Sequence, residues 1–405
     1  MKINKMPLEF IEALPILETI ENAGYEAYFV GGSVRDTLLS KPIHDVDIAT
    51  SAYPEEIKKI FNRTVDTGIE HGTVMILDHG TGYETTTFRT ESTYTDFRRP
   101  DEVKFVRSLD EDLKRRDFTV NALALTKDGE VIDLFGGVQD MSAKVLRAVG
   151  RPEERFHEDA LRMMRAVRFA AQLDFKIDPD TQKAIAENAP LLANIAVERI
   201  NVEFSKLMQG TAASYGLVEM IKSGLNGFMP GLSSTDQDLA AYAELLQIAQ
   251  PADDNQAWSL LSFELGLNPQ DTSKFLKLWK QPNELIQTAK SVITLMNKLR
   301  LGDVNDWDLY QTQDAITTAL ATVKISEISA NVDNLSMRYQ ALPIKHKQEL
   351  AINGGELVKS LHLAPGPLFG KILADLEHRV VTGGLENERA ALLHAATEIV
   401  EKEKK

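Results

Sequence analysis

The texture of the 405-residue chain changes once, near Pro152, and that change bounds the folds open to it. Before it, the short runs Glu26–Val30, Val46–Ala49, His71–Leu77 and Tyr83–Arg89 read as β-strands set among helical stretches. Ser108 with Glu111 three positions on marks a helix start before Arg115, and Asp128-Gly129 between apolar runs marks a hairpin turn. After Pro152 helix signals dominate. Asp178 followed by Pro179 caps one helix, and Ala196–Met208 is strongly periodic up to a stop at Gly210. Polar breaks at Gly231–Asp236, Gln250–Asp254 and Asn268–Asp271 divide the remainder into helices too short for a coiled coil. The expected class is α+β, with an N-terminal mixed α/β head followed by an all-helical neck, body and tail. Boundaries are expected at 1–145, 146–212, 213–338 and 339–405.

A chain of this length exceeds what one hydrophobic core usually serves, so several domains are expected. No run approaches the roughly 18 apolar residues of a membrane span, and Met1–Phe10 lacks the pattern of a cleavable leader. A cytoplasmic protein without membrane contact is expected. With no cysteine, disulfides and thiolate metal sites are excluded, which leaves oxygen ligands and hard ions such as Mg²⁺. The formal charge of −15 argues against a broad nucleic-acid-binding surface. Arginine is nonetheless concentrated: twelve of nineteen lie from Arg89 to Arg168, and none lies between Arg199 and Arg300. Any polyanion contact must be local.

Asp45-Val46-Asp47-Ile48 is the first candidate for chemistry. On a strand, this spacing turns both carboxylates to one face, where their repulsion invites a metal ion, and a pair of magnesium ions would serve in-line attack on a phosphate. Surface aspartates share the spacing, so context decides. Gly31-Gly32-Ser33-Val34-Arg35-Asp36 follows an expected strand and opens a helix capped by Ser33, so backbone amides and Arg35 can meet a triphosphate. The dinucleotide fingerprint G-x-G-x-x-G is absent.

A strand, G-G-S-V-R-D, a helix and then D-x-D about ten residues later resembles the DNA polymerase beta nucleotidyltransferase superfamily. Arg115-Arg116-Asp117-Phe118, Asp133–Gly137, Glu158-Asp159-Ala160-Leu161-Arg162 and Glu198-Arg199-Ile200 extend the likeness. These six ordered motifs over about 170 residues are similar to class II CCA-adding enzymes and bacterial poly(A) polymerases. The resemblance implies that the head is a nucleotidyltransferase and that nucleotides are added to an RNA 3′ end without a template. It implies Asp45 and Asp47 as catalytic metal ligands, and nucleotide contacts at Gly32, Arg35, Arg116, Asp159, Arg162, Arg165 and Arg168.

CTP, ATP and tRNA are the implied partners, with C, C and A added in turn, pyrophosphate released and the tail helping to hold the tRNA. A homodimer is left open. Asp159 and Arg162, three apart on an expected helix, would set an acceptor beside donors. That pair matches the amino group and ring nitrogen shared by cytosine and adenine, and meets uracil and guanine acceptor to acceptor. Arg162, Arg165 and Arg168 drift around a helix, so a base edge for the first and triphosphate or RNA backbone for the others is the expected division. Arg199 and Glu203 read as an i,i+4 structural clamp, and Glu84 as a weaker candidate for a third carboxylate.

Poly(A) polymerase, or an enzyme adding only CC or only A, stays open. Asp66-Thr67-Gly68 with His71-Gly72-Thr73 resembles the CCA-adding side, and the polar segment Thr90–Asp101 is expected to be the mobile loop that the resemblance links to the change from C to A. An inactive RNA-binding relative is the alternative of a different class. His346, His362, His378 and His394 have no carboxylates spaced as a metal cluster, so no second hydrolytic site is expected.

Overall fold

Phe29 and Val30, adjacent in sequence and both buried, face opposite sides of a sheet and so fix its two packed faces. The computed structural model describes residues 1–91, 103–361 and 367–403, which divide into two units, Met1–Asp236 and Gln237–Lys405. The first unit carries the sheet. Its strands are β1 (Ala27–Val30), β2 (Asp47–Thr50), β3 (Thr64–Gly68), β4 (Thr73–Asp78) and β5 (Thr81–Thr87), then the short pair β6 (Arg89–Glu91) and β7 (Val103–Phe105), then β8 (Leu123–Leu125) and β9 (Val131–Asp133), and a two-residue parallel pair, β10 (Val145–Leu146) with β11 (Lys176–Ile177), that interrupts the neck expected to be all-helical. Seven of these form one sheet in the order β3-β4-β5-β2-β1-β8-β9, with β2 and β5 parallel and the other neighbours antiparallel.

Helix α1 (Leu8–Asn22) covers one face of β1 because Phe10, Ala13, Leu17 and Ile20 recur at helical spacing and are all buried. Phe10 stacks on Phe29 with ring centroids 4.6 Å apart. On the other face Val30, Ala49, Phe88 and Ala124 meet Leu109 and Leu113. Three short helices complete this part: α2 (Gly32–Leu38), α3 (Pro54–Ile60) and α4 (Leu109–Lys114). Helix α4 starts after Ser108 as expected, although the Ser108 side chain makes no cap bond. The turn at Asp128-Gly129 joins β8 to β9, with Gly129 at φ +81°.

Helices α5 (Gly137–Ser142), α6 (Pro152–Glu158), α7 (Leu161–Leu173), α8 (Pro179–Asn188), α9 (Val197–Met208) and α10 (Ala213–Lys222) follow. Helix α7 packs against α9 and α10 and is buried on nearly every side. That proximity needs Gly216, where a Cβ would stand 2.8 Å from both the Ala171 methyl and the Val167 carbonyl oxygen. Asp178 caps α8 by accepting from the Thr181 amide, with Pro179 at the first position.

The second unit is helical from Asp236–Ile248 to Arg389–Glu403 among its described residues. Trp258 and Trp279 pack at 4.9 Å, and Leu295, Tyr310, Leu376 and Leu392 belong to a further core. His378 stands edge-on to Trp307 at 4.8 Å, His346 is 3.6 Å from Asp314 and His394 is 3.7 Å from Glu398. His362 lies outside the described residues. No helix among those described is long and apolar enough to cross a membrane. The fold is thus α+β with a sheet-bearing head and a mostly helical remainder.

Two local expectations change. Strand β3 has no counterpart among the expected strands because its residues are exposed or half-buried, so no alternation marks it. Of the segment Thr90–Asp101, Thr90 and Glu91 belong to β6 and pair with Lys104 and Val103, while 92–102 lie outside the described residues.

Candidate active site

Strand β1 ends at Val30, and the chain turns into α2 through Gly31, whose φ of 75° and ψ of −139° suit only glycine. Gly31, rather than Ser33, is the residue at the cap position. The Ser33 hydroxyl instead donates back to the Val30 carbonyl at 3.1 Å, because its place inside the first turn faces the strand end. The turn buries Arg35, which donates from Nε and Nη2 to Asp36 at 2.9 Å each and from Nη1 to Asn121 Oδ1 at 2.6 Å.

Asp47 is the first residue of β2, and Asp45 precedes the strand. The two carboxylates therefore do not share a strand face, as their spacing alone suggested. Asp45 is exposed and Asp47 half-buried. The parallel ladder pairs Ile48 with Thr85, which sets Asp47 beside Glu84. Burial, then Glu84 and Asp45, raise the Asp47 pKa above the ordinary carboxylate value, against the opposing pull of Arg116. A cation at Asp47 would remove that strain. Among the described residues no three acidic or histidine side chains are gathered closely enough to enclose an ion. The donors suit an ion such as Mg²⁺, which takes one or two carboxylates and completes its shell with water and substrate phosphate.

Asp47 and Glu84 form a wall between two cavities. One, of about 770 Å³, is lined by Gly31, Gly32 and a group of arginines that includes Arg35, Arg116, Arg162, Arg165, Arg168 and Arg199. The other, of about 410 Å³, is lined by Glu9, Glu12, His44 and Asp45. A polyanion is favoured on the first side and disfavoured on the second.

Asp159 is not on a helix with Arg162. It lies between α6 and α7, where Oδ1 accepts the Leu161 amide at 3.0 Å and Oδ2 accepts Arg199 Nη2 at 2.7 Å. Arg162 is buried and donates to Glu158 Oε2 at 2.7 Å and to the Arg115 carbonyl at 2.8 Å. Arg165 pairs with Asp117 at 2.6 Å and Arg168 with Glu203 at 2.7 Å. The i,i+4 pairing of Arg199 with Glu203 is replaced by these longer-range bonds, since both residues turn toward the segment from Asp159 to Arg168.

Three comparisons bear on this geometry. Residues 27–147 match the Poly A polymerase head domain, 174–235 the probable RNA and SrmB-binding site of polymerase A, and 249–396 a putative tRNA nucleotidyltransferase domain 2. The crystal structure of the Bacillus stearothermophilus CCA-adding enzyme in complex with CTP superposes with a TM-score of 0.87 at 40% identity, covering 98% of this chain and 99% of that one. The CCA-adding enzyme of Limosilactobacillus reuteri is 54% identical over 98% of this chain and 99% of its own length, and that of Limosilactobacillus fermentum 55% identical over 99% and 100%. The chain belongs to the CCA-adding enzyme family.

Several residues at this CCA-adding family cleft carried no role in the sequence motifs. Asp112, only 1% exposed, is bonded by Arg115 at 2.6 Å and Arg116 at 3.1 Å; burial would raise its pKa, but the two guanidinium charges hold it below the usual range. Burial acts the same way on Asp117, and Arg165 overrides it. Asn121 joins the two ends of the site, accepting from Arg35 while its Nδ2 donates to Asp117 Oδ1 at 3.0 Å. The spacing of Asp112 to Arg115 and Arg116 is a readable i,i+3 and i,i+4 signal. The bond of Asn121 to Asp117 spans four positions as well, but its bond to Arg35 comes only with the fold.

Proposed function

We propose that the chain adds C, C and A in turn to the 3′ end of tRNA, using CTP and ATP and releasing pyrophosphate. The observation that carries this is the arginine-lined cleft closed on one side by Asp47 and Glu84, in a chain that matches CCA-adding enzymes over nearly its whole length. The oxygen of the RNA 3′-hydroxyl attacks the α-phosphorus of the bound nucleotide. A phosphodiester bond forms as the bond to the bridging oxygen breaks, pyrophosphate carries away that electron pair and the hydroxyl proton passes to solvent.

Asp45 and Asp47 are the proposed ligands of Mg²⁺, with Glu84 beside them; the ion, when bound, lowers the charge on the phosphates and the pKa of the attacking hydroxyl. Arg35 and Arg116 offset triphosphate charge, and Gly32 lets the backbone approach it. Asp159 and Arg162 present acceptor and donors to the base, with Arg165 and Arg168 on phosphate or RNA backbone. These side chains bond Arg199 and Glu158, so base binding exchanges or shares those bonds. The proposed assignment places the head at 1–145, the selecting helices in the neck at 146–212, the body at 213–338 and a tRNA-binding tail at 339–405, in a cytoplasmic enzyme.

A tRNA transcript lacking its last three nucleotides, incubated with each nucleoside triphosphate and with CTP plus ATP, tests the reading. The expected product is extended by three residues, C, C and A, and no further. Incorporation of UTP or GTP at a comparable rate, or a long A tract, would overturn it.

A further inference from the structure

Phe169, which no motif singled out, stands at the centre of the cleft cations. It lies on α7, is 5% exposed and lines the 770 Å³ cleft. The guanidinium carbons of Arg168, Arg35 and Arg165 are 3.4, 5.1 and 5.2 Å from its ring centroid. All are within the roughly 6 Å over which the negative face of an aromatic ring attracts a cation. The ring is held in turn by Phe118, edge to face at 5.9 Å and 80°.

We infer that Phe169 is a positioning residue for the triphosphate: one ring gathers arginines from α2 and α7 and holds them ready for phosphate. Three like charges this close repel, and each also has partners in its own plane: Arg35 in Asp36 and Asn121, Arg165 in Asp117 and, at 3.5 Å, Glu203, and Arg168 in Glu203 and Gln172. The ring supplies an attraction that those acids do not, through its negative face. Leucine would fill similar space against Phe118 yet offer no charged face. An ordinary core phenylalanine has apolar neighbours on both faces, whereas this one carries guanidinium groups. The inference rests on the reading of the cleft as the nucleotide site. It adds that affinity for phosphate, rather than choice of base, depends on this ring.

Calorimetric titration of inorganic pyrophosphate and of cytidine into the wild type, Phe169→Leu and Phe169→Tyr separates these claims. Pyrophosphate binding is expected to weaken about tenfold in Phe169→Leu and to change about twofold or less in Phe169→Tyr, with cytidine binding unchanged in both. KM for CTP and for ATP should rise by one common factor while the preference for C and A over U and G persists. A second series keeps the shape: site-specific replacement of Phe169 by mono- and difluorophenylalanine weakens the ring face stepwise, and pyrophosphate affinity should fall with each fluorine. That series decides the question should Phe169→Leu fail to fold. Equal pyrophosphate affinity in wild type and Phe169→Leu, a parallel loss of cytidine binding, or a flat fluorine series would overturn the inference. A wild type that binds neither pyrophosphate nor CTP would instead remove the reading of the cleft on which it stands.

Discussion

Arg199 reaches from α9 to Asp159, its Nη2 donating to Oδ2 at 2.7 Å while Oδ1 of the same carboxylate takes the first amide of α7. One aspartate thus belongs at once to a helix start and to a neighbouring helix. A carboxylate gripped at both oxygens keeps its orientation, as an acceptor for a base edge must.

Loss of Arg199 should therefore blur base choice. Arg199→Ala leaves Asp159 with its local amide bond but free to rotate, and discrimination between CTP and UTP is expected to fall about tenfold. Single-turnover incorporation with each nucleotide measures it. Undiminished discrimination would show that the Arg199 bond does not set Asp159 for reading the base.

Asp47 should trade stability for function. Its pKa is raised by burial and by Glu84 and Asp45, so folding disfavours the charged form. A group raised in this way stabilises the fold only while protonated, below its unfolded value, and that contribution is lost as pH rises through the folded value. Asp47→Asn is accordingly expected to melt about 2 °C higher than wild type at pH 7, with the difference closing toward pH 4. Added Mg²⁺ should raise the melting temperature of the wild type and not of the variant. Transfer activity should be lost by about a thousandfold or more. A variant that melts lower at pH 7 would contradict the strained carboxylate.

Gly31→Ala separates backbone strain from steric conflict. A Cβ at Gly31 would lie 3.4 Å from Arg116 Nη1 and 3.5 Å from Asp47 Oδ2, which is tolerable contact, whereas φ of 75° is not tolerable for alanine. The cost is expected at about 1–3 kcal/mol, read as a lower midpoint in denaturant titration. Activity at a temperature where the variant remains folded should fall further than stability does, because the turn sets Arg35. Full activity there would mean that Gly31 serves folding alone.

The elements around Asp47 were legible in the sequence because they are local: a glycine turn, an apolar strand and a carboxylate at its start each follow from neighbouring residues. The break at Asp159 was not. Glu158, Asp159 and Ala160 contain neither glycine nor proline; Asp159 ends α6 in an extended conformation, φ −138° and ψ 104°, and its carboxylate accepts the Leu161 amide at the start of α7. Pairings were misread where burial outweighs proximity in sequence. Glu203 is buried, and a buried carboxylate takes the guanidinium that packing brings to it, here Arg168, rather than the one a turn away on its own helix. Phe169 and Asn121 show the rule in part: each has partners close in sequence, Arg165 and Arg168 for Phe169 and Asp117 for Asn121, but the Arg35 contact that ties both to α2 comes only with the fold.

Seven of the cleft's arginines already have anions of their own: Arg35 with Asp36, Arg115 and Arg116 with Asp112, Arg162 with Glu158, Arg165 with Asp117, Arg168 with Glu203 and Arg199 with Asp159. A phosphate that enters competes with fixed internal counterions more than it displaces mobile ones from solution. Fewer small ions are then released than a count of arginines implies, and the dependence of binding on ionic strength is correspondingly shallow. A chain with a net charge of −15 can in this way handle two polyanions without offering a basic surface to every other nucleic acid in the cell.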